Sequence, residues 1–441
     1  MSVRGGIWGA VLAVVAGAPS AFAQVQLPGP APGNFGTTPP EATAAGEGVL
    51  SRPHPDYDPL GVRAGSFIVF PRLDLAELYD SNVFSIPSGV KSDFYTDIAP
   101  DVVVNSDWNV HALNFDVGSE TKRYATQVSE NYTNAHAIAN GRLDILNEIY
   151  ILSGAQYQLA HEDRASPNSI VGQKNPTQYQ VGGIGFGYVH EPGRLGFRID
   201  GIANMYSYDN AQTATGATVI ETDRNRWEYA VKPRLEYEII PNYRAFLQAS
   251  GNGRSYQATF DQFGFKRDSA GWEVDAGTAL DVTNLITGEI FAGYLEQNYA
   301  DARLKPVNGV GFGSNLLWTV TELTSVHLGV TRSVQETIVN NGLAGTAFVE
   351  ASSDLATGAN LSVEHELLNN VLVNAGVTYG QDDFQGLSRI DNTYGANAGA
   401  RYLINRVLTA SLDITYQKRD SNQSINNYER EIVAARLGAH F

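Results

Sequence analysis

The side chains most able to do chemistry stand together at His161, Glu162 and Asp163, at the edge of an alternating segment. A histidine beside carboxylates can act as a general base for a serine or water nucleophile. The chain, however, has no Gly-x-Ser-x-Gly elbow, no His-Glu-x-x-His zinc pattern, no Gly-x-x-x-x-Gly-Lys-Ser/Thr loop and no cysteine. We therefore predict that the protein is not an enzyme, needs no cofactor, and uses His161 as a polar residue at a strand end.

Two further patterns are compatible with ligand binding but favour simpler interpretations. The acidic pairs Asp382-Asp383 and Asp209-Asn210 lack the spaced ligands of a calcium loop, so we predict no metal site. A glycine-rich stretch alternates within a strand pattern and no helix follows it, which indicates a bent strand rather than a nucleotide loop; its glycines are Gly182, Gly183, Gly185 and Gly187.

Charged residues recur at every second position in several segments. Between Trp227 and Ile239, an apolar row alternates with a charged one, and the segment from Val407 to Gln417 does the same. Side chains two apart share one face of a β-strand, so such segments predict strands with one apolar and one hydrated face. The residues predicted to face an aqueous lumen are Arg198, Asp200, Glu228, Lys232, Arg234, Glu236, Glu238, Asp413, Arg430 and Arg436. For any single one of them, a structural ion pair across adjacent strands is the alternative interpretation.

A transmembrane β-barrel explains these faces better than a soluble β-sandwich. Aromatic residues gather near strand ends with small aliphatic residues between them, as in the two interfacial girdles of a membrane barrel; examples are Trp227, Tyr237, Tyr379 and Tyr416. The 44 glycines and 22 tyrosines, with only 17% charged residues, agree with turn-rich strands. A formal net charge of -17 disfavours nucleic acid as a partner.

Both ends of the chain predict export to an outer membrane. Residues 1–23 resemble a signal peptide, with a basic start, a short apolar stretch and Ala21-Phe22-Ala23 before Gln24. The final segment alternates and ends at Phe441, which we expect to lie in the periplasmic girdle and to be read by the outer-membrane assembly machinery. Residues 24–63 are rich in proline and predict a disordered periplasmic extension, with a plug folded into the lumen as the alternative. Residues 64–441 are the predicted barrel.

Separators of two lengths predict an all-β, antiparallel, up-and-down barrel of about 18 strands. Eight short separators, rich in Asn, Asp, Pro and Gly, read as periplasmic turns at 106–109, 146–148, 191–194, 240–243, 282–285, 321–323, 368–370 and 404–406. Nine longer ones read as extracellular loops at 81–92, 125–130, 163–176, 209–223, 257–267, 300–305, 339–346, 383–389 and 420–425. The even strand number places both chain ends on the periplasmic side.

The segment from Arg52 to Phe67, with Tyr79-Asp80-Ser81-Asn82-Val83-Phe84 and Lys91-Ser92-Asp93-Phe94, resembles the family known as putative β-barrel porin 2. Shorter runs at 106–108, 130–132 and 161–167 add to this resemblance, which extends from about Arg52 to Phe441. It implies a barrel in the outer membrane of Gram-negative bacteria. Some similar barrels work in exopolysaccharide secretion beside periplasmic export proteins, so the resemblance implies an aqueous conduit linked to polysaccharide export.

Two other functions remain open from the sequence. A general or substrate-selective diffusion porin would use the same hydrated lumen, and a non-conducting surface scaffold would need only the barrel and its loops. Outer-membrane lipid is a partner in every case, and periplasmic export proteins are partners only for the first function. The oligomeric state does not follow from the sequence, because lipid-facing and subunit-facing apolar rows look alike.

Overall fold

Eighteen strands form one closed sheet in the computed structural model, which describes residues 48–170, 172–282, 285–340 and 349–441. The strands are β1 (Phe67–Asp80), β2 (Asp93–Ser106), β3 (Ala112–Tyr124), β4 (Tyr132–Leu146), β5 (Ile149–His161), β6 (Gln178–His190), β7 (Leu195–Tyr208), β8 (Arg226–Ile240), β9 (Tyr243–Tyr256), β10 (Ser269–Val282), β11 (Ile286–Tyr299), β12 (Val307–Thr321), β13 (Thr324–Gln335), β14 (Asp354–Leu368), β15 (Val371–Phe384), β16 (Ile390–Leu403), β17 (Leu408–Ser421) and β18 (Tyr428–His440).

Every strand pairs antiparallel with the next one in the chain, and β18 closes the barrel on β1. The closing register runs from Arg72 opposite His440 to Asp80 opposite Ile432. Closure pairs the backbone groups of the first strand, β1, with those of the last strand, β18, so neither leaves an unpaired sheet edge. Such an edge is not tolerated within a membrane. The predicted fold class and the predicted number of strands are confirmed.

Alternating side chains separate the two faces of the wall. On β8, Leu235 exposes 48% of its surface while the next residue, Glu236, exposes 9%. The exposed apolar row is the outer face of the wall, and the less exposed charged row is the inner face. The segment from Trp227 to Ile239 therefore has the two faces that the sequence predicts.

The connections differ in length at the two ends of the barrel. The eight short turns fall within a few residues of their predicted positions, and the longer connections form nine loops, named here loop 1 to loop 9 in chain order. In the two-residue turns, Glu148 and Asn242 adopt positive φ angles of 60° and 73°. Asparagine tolerates this left-handed conformation well. By the usual topology of bacterial barrels, the short-turn end is periplasmic and the loop end is extracellular.

The N-terminal part of the chain meets the barrel at the short-turn end. The predicted signal peptide, residues 1–23, and residues 24–47 of the predicted extension lie outside the described residues. Residues Val62–Ala64 form a short strand that pairs with the first residues of β1. Residues 48–60, called the mouth segment below, precede it and contact several barrel strands. No helix among the described residues is long and apolar enough to cross a membrane.

Candidate functional site

Inward charges on the wall are organised in pairs along single strands. Arg198 and Asp200 of β7 form an ion pair with Nε to Oδ2 at 2.6 Å, and Arg234 pairs with Glu236 on β8 at 2.5 Å. The two members of each pair are two residues apart, so they share the inner face of their strand. The same spacing joins Arg72 to Asp74, Arg142 to Asp144, Arg226 to Glu228 and Arg389 to Asp391.

The ten residues predicted to face the lumen all lie on the less exposed rows of β7, β8, β17 and β18. Arg430 of β18 binds Asp80 of β1 with both its Nε and a terminal nitrogen, the latter at 2.7 Å, across the closing seam of the barrel. Arg234 also reaches Glu289 on β11 at 2.9 Å. Within the described residues, four of the ten form no ion pair: Lys232, Glu238, Asp413 and Arg436. The part that any of the ten plays in transport stays a prediction.

Loop 3, residues 162–177, leaves the wall and crosses the barrel interior. Arg164 binds Glu130 of loop 2 through two hydrogen bonds of 2.7 and 2.8 Å. Glu162 accepts two hydrogen bonds from Arg224 of loop 4, at 2.9 and 3.3 Å. These bidentate pairs fix the base of the loop between its two neighbours.

The middle of loop 3 reaches strands that are distant around the barrel. Asp163 pairs with Arg430 of β18 at 3.2 Å, and the Ala165 carbonyl accepts a hydrogen bond from Arg419 of β17. Partial burial opposes ionisation of Asp163, but the Arg430 guanidinium and the Ala165 amide hold the pKa of this carboxyl below its usual value. Asp163 is therefore a fixed negative charge at neutral pH.

Asn168 ties loop 3 to a loop on a distant part of the barrel. Its side-chain oxygen accepts hydrogen bonds from the Thr337 hydroxyl at 2.8 Å and from the Ile338 amide at 3.1 Å, both in loop 7. Loop 3 follows β5 and loop 7 follows β13, eight strands further on, where nine strands make half of the circumference. Loop 3 is thus tied to nearly the opposite side of the wall and narrows the lumen. This inserted loop was not predicted from the sequence.

Below loop 3 lies a cavity of about 410 Å³, called the loop 3 cavity. Tyrosine rings and charged groups line it. Its basic lining residues are Lys122, Arg164, Arg419 and Arg430, and its acidic ones are Asp97, Glu130, Glu162, Asp163, Glu336, Asp354, Asp382 and Asp413. A concave site of this size with convergent polar groups is typical of small-molecule binding sites.

Loops 5 and 7 form a second fixed structure around the buried Arg267. Its guanidinium donates to the carbonyl oxygens of Thr337 at 2.6 Å and Ala351 at 3.1 Å, and pairs with Glu350 at 2.9 Å. Asp261 lies 3.7 Å from the same guanidinium. Because Thr337 also binds Asn168, this cluster holds the far anchor of loop 3.

The Arg267 cluster makes the loops sensitive to pH. Burial and the adjacent Asp261 carboxyl raise the pKa of Glu350 to about 8, even though Arg267 favours the ionised form. A raised pKa means that the stabilisation is complete at low pH and is lost as the pH rises through about 8. We expect proteinase K to cleave loops 5 and 7 faster above this pH.

A substitution separates this effect from general alkaline unfolding. Glu350→Gln keeps a neutral side chain at every pH, so its cleavage rate should stay flat between about pH 6 and pH 10. Asp420→Asn, at the exposed end of β17, should behave like the parent chain. An equal rise in the parent and in Glu350→Gln would contradict the assignment to Glu350.

The mouth segment occupies part of the periplasmic opening. Val49 exposes 2% of its surface and packs on the inward residues Leu372 and Leu403. Its amide donates to Ser325 Oγ at 2.9 Å, and the amide of Leu50 donates to Glu364 Oε2 at 3.0 Å. These partners belong to β13, β14, β15 and β16, so the segment is seated inside the wall.

The remainder of the mouth segment follows the rim. Arg52 forms an ion pair with Glu366, and Arg406 donates to the Pro55 carbonyl at 3.1 Å. Gly61 follows the segment, with a φ of 69° that a glycine adopts easily, and its missing side chain leaves room for Ile68 and Phe70. From β13 to β1 the segment spans six of the 18 strand-to-strand steps around the barrel, a third of the circumference.

One group of side chains has the composition of a metal site, and the prediction that the protein has no metal site stays a prediction. Asp101, Asp116 and His136 lie on the inner faces of β2, β3 and β4, with their ligand atoms within 4.8 Å of one another. His136 Nε2 is 3.1 Å from Asp116 and 3.4 Å from Asp101, and Arg72 is 3.3 Å from Asp101. The imidazole and the guanidinium already offer positive charge to both carboxylates, so the group is satisfied without an ion.

Phe441 follows directly after β18 on the outward row. It exposes 55% of its surface, and its amide donates to the Pro71 carbonyl at 3.1 Å. The ring therefore points away from the lumen at the short-turn end. Recognition of Phe441 by the outer-membrane assembly machinery stays a prediction.

Comparisons with known proteins find one matching family model and several similar solved structures. A family model described as "Putative beta-barrel porin 2" matches residues 54–441. Solved structures that are similar include OpdK of Pseudomonas aeruginosa, at 9% identity over 85% of this chain and 99% of that one, with a TM-score of 0.43. The copper transporter OprC matches at 10% identity over 86% and 81%, with a TM-score of 0.47. OccAB3 of Acinetobacter baumannii matches at 9% identity over 85% and 99%, with a TM-score of 0.43. No curated protein matches the chain.

Proposed function

Because the chain belongs to the putative β-barrel porin 2 family, an outer-membrane barrel family of Gram-negative bacteria, we propose that it is a substrate-selective diffusion channel. Barrels of this strand number are wide enough to hold water, so selectivity must come from what narrows the lumen. The main support for this proposal is the position of loop 3, which Asn168 ties to nearly the opposite side of the wall.

Ion pairs fix loop 3 at this narrowing, and a fixed narrowing favours a small solute over a long polymer. Loop 3 is held by ion pairs with Glu130, Arg224 and Arg430, so it is a fixed part of the path. A solute has to pass between Asp163 and the walls of the loop 3 cavity. The fold and the family are those of non-catalytic channels, which supports the prediction that the chain is not an enzyme.

Solute uptake into proteoliposomes tests the proposal. We expect vesicles with the purified barrel to admit monosaccharides and amino acids, and to exclude oligosaccharides of several units. The control is the same protein heated in detergent before reconstitution. Vesicles that admit no solute, with no conductance in planar bilayers, would contradict a diffusion channel and favour a non-conducting scaffold.

Loop 3 itself is tested by Asn168→Ala. The substitution leaves the Ile338 amide and the Thr337 hydroxyl without their acceptor, at a cost of about 1 to 3 kcal/mol. We expect a larger and noisier single-channel conductance. The matched control is Asn175→Ala on the same loop, because Asn175 does not line the loop 3 cavity and its amide makes no side-chain hydrogen bond within the described residues. Equal conductance in both variants would contradict a role for the anchored loop.

Polysaccharide export is the second candidate function, and the mouth segment is the observation that favours it. A seated segment at the periplasmic opening gives an export partner something to displace. Deleting residues 24–50 tests this function in cells: loss of polymer secretion with intact barrel assembly would favour export. Small-solute uptake that survives the same deletion, with no change in secretion, would favour the diffusion channel alone.

A further inference from the structure

We propose that the loop 3 cavity binds small aliphatic amines that carry one or two ammonium groups. This inference rests on the proposed diffusion function, since it names the class of solute that the narrowed lumen selects. It begins from an imbalance of charge. Each of the four basic residues in the lining is ion-paired: Lys122 with Glu120, Arg164 with Glu130, Arg419 with Asp391, and Arg430 with Asp80 and Asp163.

Several carboxyl groups of the lining have no such partner. Asp97, Asp354 and Asp382 expose 4%, 6% and 8% of their surfaces, and none of them is in an ion pair within the described residues. One oxygen of Asp97 and one of Asp354 are also buried without a hydrogen-bond partner. Burial and nearby acids oppose the ionisation of such carboxyl groups, so an ammonium group that approaches them supplies the missing partner and stabilises their charged form.

Their arrangement adds to the attraction. Asp354 of β14 and Asp382 of β15 are diagonal neighbours on the inner face, because Asp382 lies opposite Ala356. Like charges on adjacent strands destabilise each other unless a proton or a cation lies between them. Asp97 is on β2, on another part of the wall, so the cavity offers carboxylates at two separate places.

The wall already shows how it holds an ammonium group. The Nζ of Lys122 lies 3.2 Å from Glu120, and it sits 5.5 Å from the Tyr132 ring and 6.0 Å from the Tyr95 ring. Carboxylate and aromatic faces together are a common means of binding organic cations. Tyr124 and Tyr428 also line the cavity and extend this type of surface.

A metal ion fits these carboxylates less well than an amine. Among the described residues, the one group of three or more side chains with ligand atoms close enough to share an ion is that of Asp101, Asp116 and His136, and it contains none of the three unpaired aspartates. An ion of about 1 Å radius needs several oxygens at one point. A flexible diamine can instead place its two charges at separate carboxylates within about 410 Å³.

Channel block by putrescine tests the proposal. Putrescine is added to single channels of the full-length barrel in KCl, beside its neutral diol analogue and beside Mg²⁺. We expect putrescine to reduce the conductance, the diol to have no effect, and Mg²⁺ to block only at higher concentration. In the double variant Asp354→Asn with Asp382→Asn, block should need about tenfold more putrescine for each lost charge contact.

The matched control changes two acidic groups at the exposed rim. Asp420→Asn with Glu429→Gln removes the same charge but lies outside the cavity, so block should equal that of the parent. Heat-modifiable migration on gels shows that each variant is a folded barrel. Equal block in all three proteins, or equal block by Mg²⁺ and putrescine, would overturn the inference.

A second readout separates this inference from the proposed function. Isothermal titration calorimetry of putrescine against the detergent-solubilised barrel needs no conduction. Binding that the Asp354 and Asp382 substitutions weaken, in a barrel that conducts nothing, would overturn the diffusion channel but uphold the amine site. A conducting barrel with no putrescine binding would overturn the amine site and leave the channel intact.

Discussion

A barrel that lacks residues 24–60 is expected to conduct about twice as well as the full chain in planar bilayers, since the deletion clears the periplasmic opening. Val49, Leu50 and Arg52 of the deleted part contact inward residues of four strands. The seat is stable, because burying one valine side chain contributes roughly 1.5 to 3 kcal/mol before its hydrogen bonds are counted.

A shorter deletion is the matched control. Removing residues 24–47 leaves the whole mouth segment in place, so its conductance should equal that of the full chain. A rise in conductance in both deletions would assign the obstruction to residues 24–47 instead. No change in either deletion would mean that the mouth segment lies beside the ion path and does not restrict it.

Val49→Asp offers a test that removes no residue. The new carboxylate would lie between Leu372 and Leu403 and close to Glu364, where burial and like charge oppose it. We expect the segment to leave its seat, so conductance should approach that of the longer deletion. If Val49→Asp has the same conductance as the parent, the seated mouth segment does not restrict the ion path.

The wall of the barrel was predictable because short stretches of sequence determine its turns and the two faces of each strand. Turns such as Pro241-Asn242 contain residues that favour sharp reversals, and alternation between Trp227 and Ile239 fixes which face meets lipid. Each strand needs only its own sequence and its two neighbours. The strand count, the loop positions and the outward placement of Phe441 follow from these rules.

The pairing of inward charges was predictable, and cross-strand pairs such as Arg430 with Asp80 and Arg72 with Asp101 are present, but the pairs along one strand were not foreseen. The sequence repeats a basic residue two places before an acidic one, as in Arg198-Ile199-Asp200 and Arg234-Leu235-Glu236. Sequence reasoning assigned such charges to partners across strands. The structure pairs many of them along the strand, since residues two apart stand side by side on one face.

The inward course of loop 3 was beyond this reasoning, and the mouth segment entered it only as the alternative of a plug in the lumen; both limits have a physical reason. The bond from Thr337 to Asn168 joins residues 169 positions apart, and that from Val49 to Ser325 joins residues 276 apart. Nothing in a separator such as 163–176 tells whether it extends into water or folds inward. Only the closed barrel brings these partners within reach, so the candidate site depends on the fold being complete.

Phe441→Asp is expected to reduce outer-membrane assembly to a small fraction of the parent level. The ring exposes 55% of its surface on the outward row, next to the seam where β18 pairs with β1. Near the membrane interface, where Phe441 is expected to lie, a charge on the lipid side of a barrel costs only about 0 to 1 kcal/mol. The larger effect should come from loss of the aromatic end, which we predict that the assembly machinery recognises.

The measurement separates these two causes. Heat-modifiable barrel in purified outer membranes is compared for the parent, Phe441→Asp and Phe441→Tyr, and the same proteins are refolded into detergent. Tyrosine keeps an aromatic ring for the girdle, so Phe441→Tyr should assemble almost normally. If Phe441→Asp refolds in detergent but fails in cells, the defect lies in recognition during assembly. Normal assembly of Phe441→Asp in cells would show that the seam closes without an aromatic terminus, and that backbone pairing from Arg72 to Asp80 suffices.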